Sequence, residues 1–353
     1  MTTQYNVEAL DAFDDQQLKE LDWKNMTQLN GRLLDLHAEG ELGNDKLAKL
    51  PLRPILCVDH IDLIDDTVIE GTFTFPENEK DWAFDSTESL EMLFQDQLDQ
   101  LVGFWGARKV NGIGRALSSG ACKLHQSLDF EAGKTVKYRL QKRKWMQNKD
   151  SEGGTAVFNG AILDANDELI LETKNVIVGI LRPQDIDDLR QRYGGTKGVD
   201  NVGVIDAAWS PLRIPIYDQS TKTTENSAES EMSVSATQKI NPDLWPLRFH
   251  FRGDPVVPGN FGTHGMIALL KETAREAFGV KDPVFKSMSK KTFSGMIFED
   301  PKQIRFELND VTQDTEGQVI AKLANLYLED ESGKRMIEDP IYTFKNMTVG
   351  ERG

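Results

Sequence analysis

The chain has 353 residues, and its 57 Asp and Glu residues against 41 Lys and Arg give a net charge of −16. Such acidity argues against a protein built to neutralise nucleic-acid phosphates or an anionic bilayer, so we expect neither nucleic acid nor a membrane as a partner. The sequence contains no run of about eighteen apolar residues and begins with an acidic stretch, which predicts a soluble, cytoplasmic protein. Cys57 and Cys122 lie far apart, so we expect reduced, buried thiols and no disulfide or metal site.

The first half of the chain predicts a helical arm followed by one α+β unit. Residues 1–50 are acidic and the stretch Met26–Leu42 shows loose helical periodicity, so we assign residues 1–50 to an N-terminal helical arm or linker. Strand-like alternation then begins at residues 55–59 and returns at 68–75. A long helix from Ser89 to Val110 carries apolar residues around most of its circumference, which predicts burial on several sides. Further strands are predicted at 115–124, 135–145 and 155–176, and we place this first unit at residues 51–182.

The second half repeats this order. Residues 183–205 read as a linker that opens with a short polar helix, and the polar segment 218–230 predicts a loop or mobile insertion. The second unit, residues 206–353, has a predicted strand at 232–240, a helix at 261–278 and strands at 284–298, 302–309 and 319–328. Two copies of strand, long helix and antiparallel strands predict the α+β class with two similar units.

The most informative stretch is residues 243–266, DLWPLRFHFRGDPVVPGNFGTHGM. His250 follows an aromatic residue and precedes a G-D-P-x-x-P-G loop that leads directly into a helix. The first amides of that helix would present partial positive charge to an acyl oxygen. Gly259 lets the backbone approach closely, which predicts an oxyanion hole for acyl chemistry.

This stretch resembles the hot-dog-fold β-hydroxyacyl-ACP dehydratases, in particular β-hydroxydecanoyl-ACP dehydratase/isomerase and the dehydratase domains of polyunsaturated fatty-acid synthases. The match runs through His250 and the loop, but the catalytic Asp position of the family falls on His264. In the first half Asp96 and Gln100 match the family's D-A-M-x-Q-L-x-G-F motif, whereas the His position falls on Trp82. The second half therefore lacks the catalytic Asp and the first half lacks the catalytic His, so each half has the residue that the other lacks.

The resemblance implies a double hot-dog, in which two fused units each wrap a long helix in an antiparallel sheet. Because the homodimeric relatives combine the His of one protomer with the Asp of the other, it implies one composite site of His250 and Asp96. Its implied activity is dehydration of 3-hydroxyacyl-ACP to 2-enoyl-ACP. His250 would be the base, Asp96 an acid kept protonated by burial, Gln100 a residue that orients this carboxyl and Gly259 the amide that binds the thioester oxygen.

The resemblance implies no metal and no redox cofactor. It also implies a substrate carried on the phosphopantetheine of an acyl carrier protein. Other domains of a multienzyme synthase are the further expected partners. The sequence leaves open a homodimer and an isomerisation from 2-trans to 3-cis. It also leaves open a hot-dog thioesterase, a non-catalytic acyl-binding or scaffold protein, and Asp99 as a competitor of Asp96. We expect basic pairs such as Lys290 and Lys291 to be solvated. If an acidic carrier protein docks, one of these pairs would supply the complementary positive charge.

Overall fold

A computed structural model describes residues 5–6, 57–58, 60–64, 66–79, 94–99, 101–102, 105, 113–149, 153–181, 183–193, 217–226, 232–240, 256–298 and 303–352. Within these ranges no helix is long and apolar enough to cross a membrane.

The first half contains eight strands and two helical segments among the described residues. Residues 94–99, 101, 102 and 105 are helical and form the segment that we call α1. A second helix, α2, spans Pro183–Tyr193, where a short polar helix was predicted. The strands are β1 (Tyr5–Asn6), β2 (His60–Ile64), β3 (Val68–Thr74), β4 (Ile113–Ser119), β5 (Cys122–Leu124), β6 (Thr135–Gln147), β7 (Gly154–Leu163) and β8 (Leu169–Leu181).

The second half repeats the order of the first. Its long helix, α3, spans Gly259–Phe278 and ends at Gly279, which adopts the left-handed conformation typical of a residue that follows a helix. The strands are β9 (Asp218–Asn226), β10 (Met232–Lys239), β11 (Pro283–Met288), β12 (Lys290–Phe293), β13 (Gln303–Gln313), β14 (Val319–Glu329) and β15 (Tyr342–Glu351).

The strands of the described residues form one antiparallel sheet that runs through both halves. Its main order is β1-β2-β3-β6-β7-β8-β4-β12-β15-β14-β13-β10-β9. The halves meet where β4 pairs with β12, with Ser118 opposite Thr292, and where β5 pairs with β11, with Cys122 opposite Met288. At this seam the consecutive strands β4 and β5 of the first half therefore pair with the consecutive strands β12 and β11 of the second.

Each long helix packs against the sheet of its own half. In α1, Phe94 stacks on Tyr138 of β6 and Trp105 meets Phe158 of β7 edge to face. The helix α3 contacts β11, β13, β14 and β15. At Gly265 a Cβ would lie 2.9 Å from the Phe306 ring, so glycine allows the sheet to approach the helix this closely. This architecture confirms the predicted α+β double hot-dog.

Two predicted segments were wrong. Residues 218–226 form the strand β9, with Thr224 paired to Val234 of β10, where we expected a loop. A Thr-rich strand at the sheet edge can be polar because one of its sides faces water, and β-branched Thr favours strands. In the segment 55–59, Cys57 and Val58 belong to no strand. The Cys57 N–H donates instead to the Gln97 side chain (2.9 Å).

The remaining expectations were mixed. Cys57 and Cys122 are free and buried, as predicted. In the arm of residues 1–50, Tyr5–Asn6 is a strand paired with β2. The rest of the arm lies outside the described residues. The predicted unit boundaries, 51–182, 183–205 and 206–353, stay predictions.

Candidate active site

A cavity of about 70 Å³ lies between the two halves. Water needs about 10–15 Å³ on this scale, so the space accommodates several waters or a short acyl segment. Both halves contribute to its wall, from α1, β4, the segment preceding α3, α3 itself, β12 and β15. The lining residues are Asp96, Asp99, Gly114, Arg115, Ala116, Val256, Val257, Gly259, Asn260, Phe293, Gly295, Met296 and Tyr342.

The N-terminus of α3 opens into this cavity. Pro258 is the residue before the helix, with an extended backbone (φ −53°, ψ 132°), and Gly259 is the first helical residue. The Val257 N–H donates to the Ile297 carbonyl (2.9 Å), which fixes the segment that leads into the helix. The first N–H groups of a helix lack intrahelical acceptors and carry partial positive charge. An acyl oxygen in the cavity therefore has backbone donors beside it.

Glycine at position 259 keeps this approach open. A Cβ built there would lie 3.2 Å from the Phe293 ring, which is tighter than ordinary contact. Any side chain at this position would also protrude beside the helix terminus. The packing of Phe293 therefore favours glycine at position 259, and the close approach of its backbone to an acyl oxygen stays a prediction.

Two carboxyl groups of α1 face the N-terminus of α3. The Asn260 side-chain nitrogen, Nδ2, lies 3.3 Å from Asp96 Oδ1 and 3.2 Å from Asp99 Oδ2, and donates to both. The Lys291 ammonium donates to Asn260 Oδ1 over 2.5 Å. Asp96, Asn260 and Lys291 are 4%, 1% and 1% exposed. The four side chains form a polar network that joins α1, α3 and β12, in which Asp99 is half-buried and the other three are buried.

Burial and neighbouring charges oppose one another in this network. Burial raises the pKa of Asp99, against the effects of the Lys291 charge and the Asn260 hydrogen bond. Burial lowers the pKa of Lys291, while the charges of Asp99, Cys122 and Asp96 act to raise it. The pKa of Tyr342 is raised by burial and then by Asp96, so this phenol stays neutral at physiological pH.

The structure brings together two of the four residues predicted for the site. Asp96, from the first half, and Gly259, from the second, line the same cavity. His250 and Gln100 lie outside the described residues, as does Trp82. The composite pair of His250 and Asp96 therefore stays a prediction, as do the roles of Gln100 and Gly259.

Asn260 and Lys291 were missed from the sequence. The prediction that Lys291 is solvated was wrong, because its side chain is buried at the seam between the halves. A signal was available, since Lys291 and Phe293 are two apart in a strand and so share a face. Asn260 directly follows Gly259, at a position that the motif leaves unspecified, and its partners are more than 160 residues away in the first half.

His264 occupies the position where the resembled family has its acid. Burial lowers the pKa of this imidazole to about 3, with a further lowering by the Lys271 charge. It is therefore neutral at physiological pH. His264 is not among the residues that line the cavity. Among the described residues no cluster of three or more His, Cys, Asp or Glu side chains could hold a metal ion.

Comparison with known proteins identifies a FabA-like domain at residues 216–332. Several solved structures are similar to the chain at low identity. The dehydratase domain of RzxB from Pseudomonas fluorescens is 10% identical, with a TM-score of 0.41 over 84% of this chain and 98% of that chain. The 12:0-ACP thioesterase from Umbellularia californica is 12% identical, with a TM-score of 0.43 over 80% and 93%.

A Mycobacterium tuberculosis protein described as a double hot-dog fold is 13% identical, with a TM-score of 0.45 over 81% of this chain and 97% of that chain. These likenesses concern the course of the backbone only. The sequence match to residues 216–332 covers α3 and the lining segment 256–260, and the sheet order repeats the same unit in the first half. The second half of the chain therefore matches the FabA-like domain, and the chain as described has the double hot-dog fold.

Proposed function

We propose that the chain dehydrates 3-hydroxyacyl thioesters to 2-enoyl thioesters at one composite site between its halves. The observation that carries this proposal is the cavity shared by Asp96 of the first half and the Val256–Asn260 segment of the second. A carboxyl, backbone donors at a helix N-terminus and room for a short acyl segment each serve such an elimination, which also needs a base.

The proposed reaction is a redox-neutral elimination. His250 takes the proton from Cα of the substrate, and the C–H electrons form the Cα–Cβ double bond. The β-hydroxyl leaves as water after Asp96 gives it a proton. The Gly259 N–H stabilises the negative charge that develops on the thioester oxygen, and Gln100 orients the Asp96 carboxyl. Because no electrons pass to or from a cofactor, the proposal includes none.

Burial of Asp96 supports its part in this scheme. A 4% exposed carboxyl has lost most of its contact with water, which disfavours the ionised form. The Asn260 hydrogen bond acts in the opposite direction, because an N–H donor favours the carboxylate. The same bond holds the Asp96 carboxyl in place, and the acid proposed for this reaction must be held in the cavity wall.

The proposed substrate is an acyl chain on the phosphopantetheine of an acyl carrier protein. The proposed setting is the cytoplasm, in fatty-acid or polyunsaturated fatty-acid synthesis, with other domains of a multienzyme synthase as partners. A carrier protein is itself acidic, so docking to a chain of net charge −16 requires a local basic patch. Isomerisation to a 3-cis product would use the same two side chains.

The test is turnover of 3-hydroxyacyl thioesters by the full chain, with the products followed by mass spectrometry. We expect loss of one water in the parent protein. The variants His250→Ala and Asp96→Asn should lower the rate by about 10²-fold or more, the usual scale for an acid or base group. His264→Gln is the matched control, because this residue is absent from the cavity lining, and it should keep the parent rate.

The products separate the proposal from its alternatives. Release of free acid and thiol without an enoyl product would identify a thioesterase. Tight binding of acyl carrier without turnover would identify an acyl-binding or scaffold protein. Folded His250→Ala and Asp96→Asn proteins that dehydrate as fast as the parent would refute the composite site.

A further inference from the structure

The side chain of Asn260 connects the two carboxyl groups of α1 to a buried cation. Its nitrogen donates to Asp96 and Asp99, and its oxygen accepts from Lys291. An ammonium group can only donate, so Lys291 requires the oxygen of the Asn260 amide to face it. The nitrogen must then face the carboxyls. Lys291 thus fixes the orientation of the amide that holds Asp96.

Lys291 also acts on the carboxyl groups through its charge. The Lys291 charge lowers the pKa of Asp99, and the charges of Asp99 and Asp96 in turn favour protonated Lys291. With its side chain 1% exposed, Lys291 is poorly screened by water. Asp96 and Asp99 share the Asn260 donor, and like charges this close disfavour simultaneous ionisation, so we expect removal of one carboxyl charge to favour ionisation of the other.

We propose that Lys291 is a positioning residue of this site: it orients Asn260 to hold the Asp96 carboxyl, and its charge sets the pH at which the pair of Asp96 and Asp99 gives up its last proton. This inference rests on the proposed function, because it assumes that protonated Asp96 is the acid. Asp99 is then the second member of the pair, and its own charge helps to keep a proton on Asp96.

Other ionisable groups face the pair from neighbouring elements. Tyr342 of β15 interacts with the Asp96 charge, and its raised pKa keeps it neutral. Arg115 of β4 lines the cavity and donates to the Gly114 carbonyl (3.2 Å). Cys122 of β5 acts on Lys291. All three groups remain in the variants proposed below, so the shifts between variants report the contributions of Lys291 and Asp99.

The test is the pH profile of kcat/KM for dehydration, in which the alkaline limb reports loss of the acidic proton. Lys291→Gln removes the positive charge but keeps amide donors. The pair should then hold its proton more tightly, and the alkaline limb should move up by about one pH unit, a typical effect of a nearby charge. Asp99→Asn removes the competing carboxyl, and the limb should move down by about the same amount.

The matched control is Lys290→Gln. Lys290 is the neighbouring residue of the same strand, is exposed, and carries the same charge. Its removal should leave the limb in place. If Lys291 and Asp99 only supported the fold, their substitution would lower the rate or the stability. The alkaline limb would then not move up in Lys291→Gln and down in Asp99→Asn.

The outcomes distinguish the inference from the function on which it rests. If the parent protein shows no dehydration at any pH, the proposed function is wrong. If the parent is active and the limb is unchanged in both variants, or moves the same way in both, the role of Lys291 is wrong. Should Lys291→Gln fail to fold, Lys291→Met decides in its place, because it also removes the charge and its alkaline limb must likewise move up.

Discussion

Removal of the Lys291 ammonium should destabilise the fold, because it leaves the carboxyls of Asp96 and Asp99 without their neighbouring cation, and Lys291→Met tests this directly. The substitution keeps an unbranched side chain of similar length and removes only the charge and its donors. Lys291 is 1% exposed and bonds Asn260 over 2.5 Å, so its charge is poorly solvated, and the half-buried Asp99 shares the Asn260 amide with it. Removing one member of a buried charged group usually costs about 3–5 kcal/mol, because its partner is left uncompensated. The buried Met side chain offsets part of this cost, so we expect a loss of about 3 kcal/mol.

A double-mutant cycle with Asp99→Asn separates the charge effect from packing. If Lys291 stabilises the carboxyl, the loss of unfolding free energy in the double variant should be smaller than the sum of the losses in the two single variants by about 1–2 kcal/mol. The free energy of unfolding is measured by urea titration for the parent, both single variants and the double variant. Lys290→Gln should change it by less than about 0.5 kcal/mol, as is usual for an exposed residue.

The pH dependence of the free energy of unfolding supplies a second check on the same variants. The pKa of Asp99 is raised in the folded state, so its contribution to stability is present below the ordinary carboxyl pKa and is lost as the pH rises through the folded value. Without Lys291 the folded value lies higher still. The loss in Lys291→Met should therefore grow from acidic to neutral pH. Strict additivity in the cycle, together with a loss that does not vary with pH, would refute the electrostatic reasoning.

Three further predictions follow from other parts of the fold. Gly265→Ala should lower the free energy of unfolding by about 1–3 kcal/mol, because its Cβ would lie 2.9 Å from the Phe306 ring; an unchanged urea midpoint would contradict this packing. The pKa of Glu272 is raised to about 7 by burial and by Glu276, so its contribution to stability is present at acidic pH and lost as the pH rises through 7. Glu272→Gln should accordingly lose less thermal stability than the parent between about pH 5 and about pH 8, and an equal loss would be evidence against the raised pKa. The pKa of His264 is lowered to about 3, so its contribution to stability is present above the ordinary imidazole pKa and is lost as the pH falls towards 3. His264→Gln should flatten the melting temperature against pH in that acidic window, whereas a parallel curve would indicate a solvated imidazole.

Much of the fold could be predicted because its signals are local. Alternating burial in β7 and β13 has the period of two that their sequences show. The length and apolar character of α3 follow from one segment of sequence. The strand β9 was missed because an edge strand with one wetted side lacks the apolar alternation that identifies inner strands. Cys57 was misplaced because its backbone partner is the Gln97 side chain, which no local pattern indicates.

The candidate site was predictable to the extent that its residues belong to motifs. Asp96 and Gly259 were both identified from short stretches, and the structure places both in one cavity wall. Lys291 was assigned to solvent because a pair of lysines usually marks a wetted surface. Its burial arises at the seam, where Lys291 of β12 in the second half pairs with Ser119 of β4 in the first.

The sequence by itself determined the two repeated units, the helices at their centres and the motif residues, since periodicity, turn chemistry and spacing are properties of neighbouring residues. Only the tertiary structure decided that Asn260 bridges Asp96 and Asp99 and that Lys291 completes this network. Asn260 and Asp96 are 164 residues apart in the chain. Their contact arises when two independently patterned halves dock, and the burial that perturbs their charges exists only in the docked arrangement.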